Sequence, residues 1–255
     1  MPPIAVHMVL ARQIAQSLGG EKLDAKSGPY LLGATTPDIR VLTRQDRFST
    51  HFFDLNGPDH QDSVAEFLKA NQQIVDAATL NEETRAFVAG YISHLILDEQ
   101  YITGVYRRFF AKHDEMGGKI RANVMDRLLQ FDLERTYGDP DVRNEIAEAL
   151  AGTIETIDCG FVTPETLERW RGVAADVATR NMDWERMRGM IANHLRFAGL
   201  EEGETLSGFL DSLPELLDET IAYITDTEVQ AFVDRATAAA SVAVERYLCG
   251  YSATP

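Results

Sequence analysis

Cysteine is nearly absent from the chain: Cys159 and Cys249 stand alone, with no CxxC spacing. A disulfide framework and a thiolate metal site are both excluded on that count. Long apolar runs are missing too, since none approaches the ~20 residues that a bilayer span requires. Positive charge is in deficit, with 24 Lys and Arg against 40 Asp and Glu and a net charge of −16. Such a surface repels phosphate polyanions and anionic headgroups, which argues against nucleic acid as a partner. It does not bar a small phosphorylated ligand, because a bound cation dominates the potential inside a cleft. Met1-Pro2-Pro3-Ile4-Ala5-Val6-His7 has no basic segment followed by an apolar stretch, so no secretory signal is visible and a cytoplasmic location is expected. Alternating strand patterns, Asn-Gly hairpins, internal repeats and low-complexity tracts are all lacking.

What is present is helical periodicity almost throughout, so the expected fold class is all-α, a multi-helix bundle. The 255 residues, 45% hydrophobic and 25% charged, suit one domain over 1–255. Within it, residues 1–115 hold the candidate site and further helices fill 119–250. Helices are expected at 4–18, ended by Gly19-Gly20, and at 62–78 and 82–112, with a short element around Tyr30-Leu31-Leu32-Gly33-Ala34. Beyond Gly117-Gly118 the periodic segments are 119–136, 141–157, 164–179, 183–198, 205–224 and 227–248. Thr225 stands three residues ahead of Glu228 at the start of the last, the spacing of a capping box. Residues 39–60 read as an irregular excursion that ends in the breaker run Asn56-Gly57-Pro58-Asp59.

Chemistry concentrates before residue 100. Phe87, Tyr91, His94, Asp98, Tyr101 and Val105 follow spacings of four and three, which puts them on one helical face. A carboxylate inside an apolar stripe must be paired or metal-bound, so Asp98 needs a partner. His94, one turn away, is either a hydrogen-bonding mate or a fellow ligand. His7 shares a face with Leu10, Ala11 and Ile14, Asp38 follows Pro37 directly, and His51 sits in Ser49-Thr50-His51-Phe52-Phe53. Singly, each of these also fits an ordinary core or loop residue. The aromatics Tyr91, Tyr101, Phe52 and Phe53 are expected in the core, and Trp170 and Trp184 in packing roles.

In order, His7, Pro37-Asp38, Thr50-His51 and His94-x-x-x-Asp98 resemble the bacterial zinc-dependent phospholipase C family, whose superfamily also contains single-strand nucleases. The resemblance covers about the first 110 residues. It rests on Tyr30-Leu31-Leu32-Gly33-Ala34-Thr35-Thr36-Pro37-Asp38, on Thr50-His51-Phe52 and on Ala89-Gly90-Tyr91-Ile92-Ser93-His94-Leu95-Ile96-Leu97-Asp98. It implies that Asp38, His51, His94 and Asp98 hold one zinc, and that His7 joins a second ion bridged by Asp98. Nitrogen and oxygen donors suit zinc and leave iron and manganese open. Where family members begin with a metal-binding tryptophan this chain begins Met1-Pro2-Pro3, and the histidine that would serve a third ion is replaced by Gly104. His113 and His194 are poorly spaced to substitute, which leaves one or two ions. Only Asp54 and His60 are near enough in sequence to supplement them.

The implied activity is hydrolysis of a small or lipid-derived phosphate ester, with Asp38 and Asp98 as catalytic carboxylates. Asp54 or Glu99 offers a stronger base, and Arg40 is either a phosphate contact or a surface arginine. Two other readings stay open: a metalloenzyme of another reaction class, and a non-catalytic helical module whose C-terminal helices bind a partner or form a homodimer.

Overall fold

The structure is a computed structural model that describes residues 1–19, 23, 27–58, 60–152, 154, 156–180, 182–199 and 204–250. Among these residues every regular element is helical and no strand occurs, so the fold is all-α. Helix α1 covers Ile4–Ser17 and α2 covers Ser27–Gly33. A 3₁₀ turn at Thr36–Ile39 leads into α3 (Arg40–Thr43) and α4 (Phe48–His51). Then come α5 (Ser63–Ala70) and α6 (Glu82–Tyr101). After α6 follow α7 (Lys119–Tyr137), α8 (Pro140–Leu150), α9 (Pro164–Thr179), α10 (Trp184–Phe197), α11 (Glu204–Asp211) and α12 (Leu213–Leu248). None of the described helices is long and apolar enough to cross a membrane.

Several boundaries differ from the periodic reading, each for a local reason. The segment expected over 62–78 stops at Ala70, where Asn71 leaves helical geometry and its amide donates to the Phe67 carbonyl. Two 3₁₀ turns finish it. The segment expected over 82–112 is α-helical only to Tyr101 and continues as a π-helix through Phe110. There the Thr103 hydroxyl donates to the Glu99 carbonyl, the back-bonding that disturbs helix geometry. Helix α8 ends at Leu150, short of 157. The break expected after residue 224 is a single-residue kink, since Thr225 has φ 61 and ψ 146 inside α12. The excursion over 39–60 holds two short helices, and His51 closes the second. Gly20 and Asp59, assigned above to a helix stop and a breaker run, lie outside the described residues.

The interior has two apolar clusters. One gathers Met8, Tyr30, Leu32, Phe67, Phe87, Ile92 and Trp170, and the other Val6, Leu10, Leu97, Tyr101, Leu128, Phe232 and Ala236. Helices α1, α6 and α12 contribute to both, which makes them the shared spine. From Ala86 to Leu95 every side chain of α6 is buried, so the expected one-sided stripe is enclosed all round. The candidate residues sit where α1 and α6 pass through this seam.

Candidate metal centre

Two glycines fix the site's geometry. Helices α2 and α6 cross so closely that a Cβ on Gly33 would stand 1.9 Å from the Phe87 carbonyl oxygen, and one on Gly90 would stand 1.9 Å from that of Tyr30. Only glycine permits this approach. The crossing brings the Ala34 carbonyl to 2.8 Å from His94 Nδ1. A carbonyl can only accept, so Nδ1 carries the proton and the bare Nε2 faces inward. One turn on, Asp98 lies on the same face.

Asp38 is aimed by the 3₁₀ turn, whose first positions include Pro37 and whose hydrogen bond runs from the Asp38 amide to the Thr35 carbonyl at 3.0 Å. Thr35 and Thr36 both donate to the Leu32 carbonyl, tying this turn to the end of α2. Trp170 of α9, a core residue as expected, also donates its indole N–H to Thr35 Oγ1 at 3.0 Å and so ties α9 to this turn. His51 ends α4, and Phe52 turns the chain with φ 53, a conformation uncommon for a residue bearing a side chain. The Thr50 hydroxyl donates to the Arg47 carbonyl at 3.2 Å and lies 2.8 Å from His51 Nδ1. Thr50 therefore accepts from His51, whose Nε2 is left bare. His7, in the second turn of α1, stacks on His94 with ring centroids 3.7 Å apart.

The five side chains converge. His7 Nε2 is 3.3 Å from Asp98 Oδ1, His51 Nε2 is 3.5 Å from both Asp38 Oδ1 and Asp98 Oδ2, and His94 Nε2 is 3.9 Å from Asp98 Oδ2. Two trios have donor atoms within 4.8 Å of one another: His7, His94 and Asp98, and Asp38, His51 and His94. His7, His51, His94 and Asp98 are buried, and Asp38 keeps a side-chain exposure of 17%. Burial raises the Asp98 carboxyl, but contact with His7 and the fields of His94 and His51 outweigh it and hold the group well below the carboxylate range. Asp38 is likewise raised by burial and lowered further by His51 and His94, with a net fall. His94 is pushed down to about 3, first by burial and then by the neighbouring His7. It is therefore neutral at pH 7, as a nitrogen ligand must be.

Other candidates stay outside. Asp54 is exposed, and its Oδ1 accepts from the Asn56 amide within its own loop. His60 is exposed as well, and Glu99 turns to Ser63, 2.7 Å from its hydroxyl. His113 and His194 belong to a later 3₁₀ turn and to α10, and to neither trio. Tyr91 and Tyr101 are core residues that donate to the Thr50 carbonyl and to Asp126. A basic residue at the cluster is Arg47, whose Nη2 lies 2.8 Å from Asp98 Oδ2. Its sequence signal is Arg47-x-x-x-His51, an i,i+4 pair that becomes readable once 47–51 is recognised as a helical turn.

A metal fits this set. Both nitrogens of His7, Nε2 of His51 and of His94, and Oδ1 of Asp98 are buried without a hydrogen-bond partner. Buried polar atoms are rarely left so, and these are the donor types that zinc takes. No curated protein and no solved structure matches the chain. Residues 6–99, which contain all five converging side chains, match the family model described as zinc dependent phospholipase C.

Proposed function

We propose that this chain hydrolyses a small or lipid-derived phosphate ester with a divalent ion, zinc, held by residues of the cluster His7, Asp38, His51, His94 and Asp98. The observation that carries the reading is the convergence of unpartnered buried donors, within the segment that matches a zinc-dependent esterase family. A bound ion of this kind polarises a phosphoryl oxygen and lowers the pKa of water.

The chain's own residues do the rest. His51 and His94 offer Nε2 because Thr50 and Ala34 occupy their Nδ1 atoms. Asp38 is the cluster carboxylate that reaches solvent, so substrate and water arrive on its side. Its lowered pKa keeps it ionised and able to accept a hydrogen bond from the attacking water. Asp98, sealed beneath, orients the imidazoles and Arg47. The aromatic and threonine residues around Tyr91 and Thr50 line an adjoining cavity of about 300 Å³, with Thr36, Phe52 and Phe161, which suits an organic ester group.

Protein purified without added metal should carry stoichiometric zinc, iron or manganese by elemental analysis. Asp38→Asn should lose most of that metal, while Asp114→Asn should keep it. Turnover should then appear in a panel of phosphomonoesters and phosphodiesters. Failure to turn over any of them after reconstitution with each metal would overturn phosphate-ester hydrolysis.

A further inference from the structure

The two trios around the cluster cannot both be filled. Each needs His94, and His94 has one nitrogen to give, because Nδ1 donates to the Ala34 carbonyl and only Nε2 is bare. One lone pair serves one ion. The trio Asp38, His51 and His94 is the prepared one, since both its imidazoles are locked in the required tautomer by a hydrogen bond on the far nitrogen. Neither nitrogen of His7 has such a partner. Three protein donors with one carboxylate open to solvent is also the pattern of a catalytic site, which keeps a position for water or substrate.

A cation supplied by the protein already stands against the other trio, on its carboxylate. Arg47 reaches across 51 residues of sequence to Asp98, with Nη2 2.8 Å from Oδ2, and its side chain is 12% exposed. It is held there: Nη1 donates to the Phe53 carbonyl at 3.1 Å, and Met1 Sδ lies 2.8 Å from Nη2. Arg47 also caps the helix that His51 closes, so the two side chains belong to one helical turn. An imidazole that gives its lone pair to an ion adds no charge, so the two carboxylates balance one divalent ion and the guanidinium charge is left over. A second divalent ion beside it would meet an uncompensated like charge in a buried site. Four of the five guanidinium N–H groups are engaged by Met1 Sδ, the Phe53 carbonyl and Asp98, which leaves one on Nη1 to donate a charge-assisted hydrogen bond to a phosphate oxygen.

We propose that the centre holds one divalent ion, on Asp38, His51 and His94, and that Arg47, anchored by Asp98, is the second positive group that binds the substrate's phosphate. This rests on the metal-dependent phosphoesterase reading and specifies it: the ligand is a phosphate anion met by one ion and one guanidinium.

Zinc content and phosphate binding test it in the full-length chain without reference to turnover. Dialysis against excess zinc should leave one zinc per chain in the wild type and in His7→Asn, and none in His51→Asn. Two zinc ions per wild-type chain, or loss of zinc from His7→Asn, would overturn the proposal. In the zinc-loaded protein, binding of inorganic phosphate should weaken about tenfold or more in Arg47→Ala, the size of a lost charge-assisted hydrogen bond, with zinc still at one per chain. Arg47→Lys should recover part of that affinity. Because Arg47→Ala leaves Asp98 unpaired and could unfold the chain, Arg47→Lys and Arg47→Gln carry the comparison if it does. Phosphate affinity equal to wild type in every folded variant, or zinc lost together with phosphate, would show Arg47 to be scaffolding alone. Failure to hydrolyse any ester, with one zinc and Arg47-dependent phosphate binding intact, would sink the hydrolase reading and leave this one standing.

Discussion

The segment up to residue 99 and the helices from 119 onward are made of the same material, yet they treat buried polarity in opposite ways. Among the described residues of the later helices each buried polar side chain is paired. Arg143 donates to the carbonyls of Ala178, Val177 and Arg180 and faces Glu134 at 3.8 Å, Asp126 accepts from Tyr101 and Gln130, and Thr220 donates to the Leu216 carbonyl. In the earlier segment His7, His51, His94 and Asp98 converge with atoms that nothing in the chain satisfies. Burying an unmet donor or acceptor costs about 1–3 kcal/mol, so such a concentration persists where a ligand completes it. The lesson is that unpaired polarity marks a site more sharply than polarity itself.

The contrast can be broken at several points. Gly90→Val should have the largest effect, because backbone atoms of Tyr30 and Ala34 occupy the space that its side chain needs. We expect loss of cooperative unfolding by circular dichroism, and a native melting curve would refute the tight α2–α6 crossing. Next, Arg143→Ala should cost about 3–5 kcal/mol in urea unfolding, the penalty of breaking a buried charged network. A change under 1 kcal/mol, within the range of ordinary surface substitutions, would mean that the later helices are no better satisfied than the site.

Acidity should act on the site side of the comparison. An unfolded His94 takes its proton near pH 6.5, but the folded one resists until about 3, so the unfolded state binds more protons between those values. Zinc-free protein should therefore lose stability as pH falls through that window, by up to about 1.4 kcal/mol per pH unit. Asp98 and Asp38, held low, extend the loss in the same direction at more acidic pH. Chemical denaturation from pH 7 to 4 should show the slope, and His94→Asn should flatten it. The smallest effect belongs to Trp170→Phe, which removes the indole hydrogen bond to Thr35 and should cost about 1 kcal/mol while loosening the turn that carries Asp38. A metal affinity equal to wild type in that variant would show that the later helices do not steady the site.

Much of this was readable without coordinates, and what was not has a physical cause. The all-α class followed from periodicity, because burial of one face leaves a regular trace in sequence. Helix ends were less legible: Ala70, Tyr101 and Leu150 are set by side-chain bonds and packing that override propensity. The five cluster residues could be nominated as a set by their resemblance to the zinc-dependent phospholipase C pattern, since Pro37 before Asp38 and the apolar faces around His7 and His94 decide nothing singly. Their convergence needed the fold. Arg47 was missed because 39–60 read as irregular, and the link from Trp170 to Thr35 spans 135 residues, beyond any local pattern.

The enclosure of α6 has a final consequence. Its far side is covered by α12, where Phe232, Val233, Ala236 and Ala240 complete the cluster that includes Leu97 and Tyr101. The centre is therefore not a portable cassette: a fragment cut after residue 115 would present a greasy flank in water and clump before it could capture an ion. Grafting this chemistry onto another scaffold would mean transferring the backing helix along with the ligands.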